Sequence, residues 1–149
     1  MLKLSSVLIG TKQLPAMAAF YEKVLEKPAD MTDEGFFGWQ LGGAFFGVFE
    51  HSEMGGSAKD PGRVMFNLET SQVREETERI RAQGGPVVHE PYEGAAGWIA
   101  TFSDPDGNYF QLMSPIPMGR GRFPTSQIGA SGENRRRFEG PPWRAKTGH

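Results

Sequence analysis

Gly97-Trp98-Ile99-Ala100-Thr101-Phe102-Ser103-Asp104-Pro105-Asp106-Gly107-Asn108-Tyr109-Phe110-Gln111-Leu112-Met113-Ser114-Pro115 reads as two strands joined by a tight turn. Pro105 fixes φ where the second position of a type I turn needs it, Asp104 has the side chain to hydrogen-bond back into the turn, and Gly107 accepts the positive φ that follows. The turn therefore sets the register of the last strand. Alternation puts Tyr109, Gln111 and Met113 on one side and Phe110 and Leu112 on the other. One side is expected to be core and the other to line a site.

Up to and including this hairpin, the chain shows the same order of elements twice. Residues 4–11 read as a strand by their Val, Leu and Ile content. Pro15 suits a first helical turn, and Met17, Phe20, Tyr21, Val24 and Leu25 form one apolar stripe that ends before Pro28. Strands are expected over 36–41 and 44–49, joined at Gly42-Gly43, with a short one over 29–32. Residues 52–62 form a connector by composition. The pattern then restarts: a strand over 63–68, a helix capped by Thr70 or Ser71 with Val73, Thr77 and Ile80 on one face, a stop at Gly84-Gly85, and a strand over 86–92 before the hairpin. Gly38-Trp39 and Gly97-Trp98 stand 59 residues apart, a weak internal repeat. One strand-helix-three-strand module cannot bury both faces of its sheet, whereas two can curl together.

Asp-Pro-Asp-Gly-Asn followed by an aromatic, apolar, polar, Leu run resembles the closing hairpin of the glyoxalase, bleomycin-resistance and ring-cleaving (extradiol) dioxygenase superfamily, the vicinal oxygen chelate family. Val7-Leu8-Ile9-Gly10, Leu14 and Phe20-Tyr21-Glu22-Lys23-Val24-Leu25 resemble that family's first strand and helix at matching spacing. The resemblance covers residues 4–115. It implies an α+β fold: two fused βαβββ modules, about 1–52 and 62–115, forming a curled, cup-shaped mixed sheet with helices outside.

Composition sets the remaining bounds. The chain has 149 residues and a net charge of −2, but residues 1–115 hold 9 Lys+Arg against 16 Asp+Glu while residues 116–149 hold 7 against 2. An acidic body thus carries a basic tail. Without cysteine there is no disulfide, thiolate ligand or Cys nucleophile. The opening residues do not read as a signal peptide, and no stretch has the length of a membrane span, so a cytoplasmic protein with no membrane partner is expected.

In the resembled family a divalent metal usually sits in the cup, held by four side chains. Carried over one at a time, those positions fall on Ser6, near Gly47, on Arg63 and on Gln111. A guanidinium cannot ligate a cation, glycine has no ligating side chain, and neutral Ser and Gln bind divalent ions weakly without carboxylate or imidazole help. The expectation is therefore no metal and no cofactor, with Glu50, His51 and Gln111 as the fallback ligands. His51 shares pleat parity with Gly47 and also reads as a solvent-facing rim histidine.

By alternation the cup wall is expected to carry Leu8, Phe45, Phe49, Met65, Asn67, Tyr109 and Met113 around Ser6, Arg63 and Gln111, the mixture of a small-molecule pocket or of a plugged interior. A buried Arg63 would need an anionic partner, supplied by a ligand or by Glu69 or Glu90; the alternative is that it points to solvent. Trp39 and Trp98 either bracket a flat ligand or belong to core or to a dimer contact. His89-Glu90 faces opposite sides of its strand and so cannot cooperate as an acid-base pair.

The tail, 116–149, is rich in Gly, Pro, Ser and Arg, with Arg135-Arg136-Arg137 as a basic run, and cannot build a core of its own. It is expected to be irregular or to dock on an acidic surface; nucleic acid ranks last as a partner because the body is acidic. The leading expectation is a homodimeric protein binding a small, partly aromatic or anionic molecule in a metal-free cup, with Ser6, Arg63, Asn67, Tyr109, Gln111, Phe49, Trp39 and Trp98 as ligand contacts. The alternatives are a metal-dependent lyase, isomerase or dioxygenase of the same superfamily, and a non-catalytic interaction module acting through the tail.

Overall fold

The computed structural model describes residues 1–115; the expectations for the tail lie outside the described residues. The first module runs β1 (Ser6–Thr11), α1 (Leu14–Leu25), β2 (Met31–Asp33), β3 (Phe36–Leu41) and β4 (Ala44–Glu50). The second runs β5 (Phe66–Glu69), α2 (Val73–Ala82), β6 (Val87–Gly94), β7 (Gly97–Ser103) and β8 (Tyr109–Met113). Each makes a four-stranded mixed sheet, ordered β1-β4-β3-β2 and β5-β8-β7-β6. The first strand of each module lies parallel to the last, and every other pairing is antiparallel.

The module starts repeat most closely. Thr11 Oγ1 accepts from the Gln13 N–H at 3.0 Å, and Thr70 Oγ1 accepts from the Gln72 N–H at 3.1 Å. Each threonine thus turns the chain out of its strand and into its helix. Neither helix has a side-chain cap at its N-terminus, so the cap expected from Thr70 or Ser71 is instead this turn. The short strand falls at Met31–Asp33 instead of 29–32, and β5 begins at Phe66, leaving Arg63 in the connector.

Burial follows the pleat. Phe110 and Leu112 are buried while Tyr109, Gln111 and Met113 are half-buried. The helix-facing sides of both sheets share one core with Met17, Tyr21, Trp39, Phe46, Val48, Ile80 and Phe102. Aromatic rings join the modules there: Tyr21 of α1 packs on Phe46 at 4.8 Å and on Phe110 at 5.9 Å, and Phe46 lies 5.0 Å from Phe66. Polar contacts follow the same seam. Gln13 Nε2 donates to Asp106 Oδ1 at 2.6 Å, and Arg79 of α2 donates to the Lys23 and Val24 carbonyls at 2.8 and 2.7 Å, satisfying acceptors that the end of α1 leaves open.

Candidate functional site

The expected site residues of β1, β4, β5 and β8 fall on the sides turned away from the helices, and the two sheets offer different chemistry there. On the first sheet, β1 and β4 present Ser6, Leu8, Phe45 and Phe49, with Phe36 of β3 beside them. Phe36 and Phe45 stack nearly parallel at 6.1 Å. They lie over Gly38 and Gly47: a Cβ on Gly47 would come within 2.8 Å of Phe36 and 2.9 Å of Leu8. This face is apolar and floored by aromatic rings.

The second sheet carries polar groups on the corresponding face. Asn67 of β5 pairs with Gln111 of β8, Gln111 with Thr101 of β7, and Thr101 with His89 of β6, so four polar side chains cross the sheet in one row. Gln111 Nε2 donates to Thr101 Oγ1 at 3.0 Å, which fixes the amide and leaves its carbonyl oxygen as an acceptor. His89 Nδ1 lies 2.8 Å from the Glu90 carbonyl oxygen. A carbonyl only accepts, so the proton of the neutral ring sits on Nδ1 and Nε2 keeps its lone pair. Tyr92 packs edge-on against His89 at 4.8 Å, and Tyr109, Met113 and Ile99 occupy the neighbouring positions of the same face. The result is a row rich in acceptors between aromatic and apolar side chains.

The expected site residues therefore separate. Asn67, Tyr109 and Gln111 share the second sheet; Ser6 and Phe49 lie on the first. Arg63 is on neither: its side chain is 76% exposed and its guanidinium pairs with Asp60 at 3.2 Å. Neither Glu69 nor Glu90 is its partner; Glu90 binds Arg81 at 2.6 Å. Trp39 is fully buried in the core, its indole N–H donating to the Lys27 carbonyl at 3.0 Å, because its parity along β3 points it at the helices. Trp98 also takes the helix-facing side, with the Arg74 guanidinium 4.8 Å above its ring. The two indoles are not structural counterparts. Trp39 pairs with Phe46, itself paired with Val7; the matching position in the second module is Phe102, paired with Phe110, itself paired with Phe66. The longer β7–β8 turn shifts the repeat.

His89, which the sequence offers only as a partner for Glu90, joins the polar row instead. It lies on the open face because β6 slips register between Val87 and His89 and again between His89 and Tyr92. Only a proline at position 91 signals irregularity there.

The side chains at the metal positions do not fit a divalent ion. Gly47 is covered by Phe36 and Leu8, Arg63 is a solvent-exposed cation, and Gln111 points an N–H at Thr101. Of the fallback ligands, Glu50 is exposed at the end of β4, and His51 Nδ1 accepts from the Glu53 N–H at 3.2 Å. Among the described residues no three His, Asp or Glu side chains gather. Metal sites of hard or borderline ions need such a gathering.

Comparison with known proteins gives the same architecture. Residues 6–113 match the sequence model of a family described as Glyoxalase-like domain. A glyoxalase-related enzyme from Fulvimarina pelagi superimposes with a TM-score of 0.65 at 18% identity, over 80% of this chain and 94% of that one. A glyoxalase/bleomycin resistance protein/dioxygenase family enzyme from Burkholderia phytofirmans PsJN gives 0.63 at 24% identity, over 76% and 98%. Lactoylglutathione lyase from Agrobacterium tumefaciens gives 0.60 at 20% identity, over 78% and 96%. No curated protein matches the sequence.

Proposed function

The chain belongs to the family of glyoxalase-like domains, and from that premise we propose that it binds a small, partly aromatic molecule on the open face of the second sheet, without a metal ion. The observation that carries this reading is the Asn67, Gln111, Thr101, His89 row, with its fixed amide and fixed imidazole tautomer. Gln111 Oε1 and His89 Nε2 accept hydrogen bonds, so the row suits a ligand that donates them from hydroxyl or N–H groups on a flat ring. Tyr92, Tyr109 and Met113 supply the apolar contact that holds such a ring. Arg63, turned to solvent and paired with Asp60, gives no support to an anionic ligand. The role that fits is sequestration, as in bleomycin-resistance proteins, by a homodimer in the cytoplasm.

The test is a thermal-shift screen of the full chain against neutral hydroxy-aromatic compounds, with Gln111→Leu and His89→Phe as comparisons. Binding raises apparent stability with ligand concentration. The reading expects at least one compound to raise the melting temperature of the parent protein and both variants to lose that shift. A panel without effect, shifts that survive in both variants, or a stoichiometric divalent metal in protein purified without chelator overturns it. Sedimentation of the full chain as a monomer at micromolar concentration overturns the dimer.

A further inference from the structure

The polar row of the second sheet has a length as well as a chemistry. Asn67, Gln111, Thr101 and His89 stand on four successive strands, β5, β8, β7 and β6. Gln111 and His89 have one strand between them, and neighbouring strands lie about 4.8 Å apart, so the two side chains hang from backbone positions about 9.5 Å apart.

The local bonding keeps them apart. Gln111 spends an N–H on Thr101 Oγ1 at 3.0 Å, and Oε1 is the end of the amide turned from that hydroxyl. The His89 ring is held over its own strand, by the Nδ1 contact with the Glu90 carbonyl at 2.8 Å and by Tyr92, whose ring centre is 4.8 Å away. Thr101, between the two, is 1% exposed and gives a ligand no surface. Asn67, on the far side of Gln111, is exposed. No hydrogen bond among the described residues fixes its amide, so it presents a donor as readily as an acceptor and selects neither. Gln111 Oε1 and His89 Nε2 are thus two fixed acceptors with a gap between them. The adjoining row, Met113, Ile99 and Tyr92, crosses the same three strands and is half-buried, an apolar strip as long as the gap.

Two donors on neighbouring atoms of a ring reach one of these acceptors and miss the other, and among the described residues no metal-binding group gathers to hold such a pair. Donors at opposite ends of a flat frame reach both. Resting on the reading that this face holds the ligand, we propose that the site takes an elongated flat aromatic compound with a hydrogen-bond donor at each end. One end donates to Gln111 Oε1 and the other to His89 Nε2, and the rings lie along Met113, Ile99 and Tyr92.

Three probes with one ring system test the donor placement: 2,6-dihydroxynaphthalene, with hydroxyls at opposite ends, 2,3-dihydroxynaphthalene, with hydroxyls side by side, and 2-naphthol, with one. Each is titrated into the full chain by calorimetry at neutral pH. The far hydroxyl is expected to make the 2,6 isomer about fivefold tighter than 2-naphthol, the gain of one further net hydrogen bond, while the 2,3 isomer is no tighter than 2-naphthol. His89→Phe is expected to abolish the advantage of the 2,6 isomer. His89→Gln, whose amide oxygen reaches close to the place of Nε2, is expected to keep most of it. Binding of none of the three probes to the parent protein overturns the reading of the face and this inference with it. A 2,3 isomer that binds as tightly as the 2,6 isomer, or a 2,6 advantage that survives His89→Phe, overturns the donor placement alone and leaves the reading of the face standing.

Discussion

The Tyr21 hydroxyl of α1 donates to Asp104 Oδ2 at 2.7 Å across 83 residues of sequence. Tyr21 is fully buried and Asp104 is 3% exposed. The same carboxyl accepts from the Asp106 and Asn108 backbone N–H groups at 3.0 and 2.9 Å and from Asn108 Nδ2. The residue that shapes the β7–β8 turn is therefore also the receptor for the first module's helix.

Tyr21→Phe keeps the ring packing and removes one donor from a buried carboxyl. Hydrogen bonds to charged groups contribute about 1.5–3 kcal/mol, so the variant is expected to lose that much stability. Urea unfolding checks it: the midpoint falls while the slope against denaturant stays constant.

The pH dependence follows from the same pair. Burial raises the Asp104 carboxyl above its ordinary value of 3.8, and the hydrogen bonds from Tyr21 and Asn108 pull partly against that rise. The folded state thus holds this proton more tightly than the unfolded chain. Its contribution is fully present below the ordinary value and is lost as pH rises through the folded one. In Tyr21→Phe one opposing hydrogen bond is gone, so the carboxyl is expected to titrate higher than in the parent. Carboxyl ¹³C shifts followed through the acid range check the direction.

At the alkaline end the phenol governs. Burial first, and the neighbouring Asp104 second, hold the Tyr21 hydroxyl well above its ordinary 10.0. The unfolded chain releases this proton near the ordinary value and the folded chain does not, so stability is expected to fall as pH rises past about 10. Tyr21→Phe lacks that loss. Melting temperatures of the two proteins, compared between pH 9 and 11, are expected to converge as pH rises.

Arg79 is expected to be a large single-residue contributor on the surface of the seam. It satisfies two carbonyls at the end of α1 while bound to Glu76. Arg79→Ala leaves those acceptors to water and is expected to cost about 1–3 kcal/mol. Arg79→Lys is expected to recover less than half, since an ammonium cannot reproduce the planar fork. Chemical denaturation of the three proteins gives the comparison.

Much of the fold was legible because it is local. Asp104, Pro105 and Gly107 announce the turn, and Gly107 does take a φ of +79°; Phe110 and Leu112 announce the core side of β8. Side-chain placement was legible only where strand parity is unbroken, which is why Asn67, Tyr109 and Gln111 fall on one face. His89 was hidden by a register slip that depends on how β6 settles against β7. Arg63 was misplaced because β5 starts three residues after the expected start at 63, and Asp60, three residues before it, supplies an ion-pair partner in the connector. Trp39 and Trp98 shared a dipeptide but not a position, since Gly42-Gly43 closes one hairpin while Asp104 to Asn108 close the other.

The coupling of Tyr21 to Asp104 also bears on how the molecule comes apart. A carboxyl sealed inside by donors from two halves cannot lose one half alone without being stranded, and a stranded buried acid is costly. Melting should accordingly proceed as one cooperative event, with neither half persisting as a folded remnant, although each has its own sheet and helix.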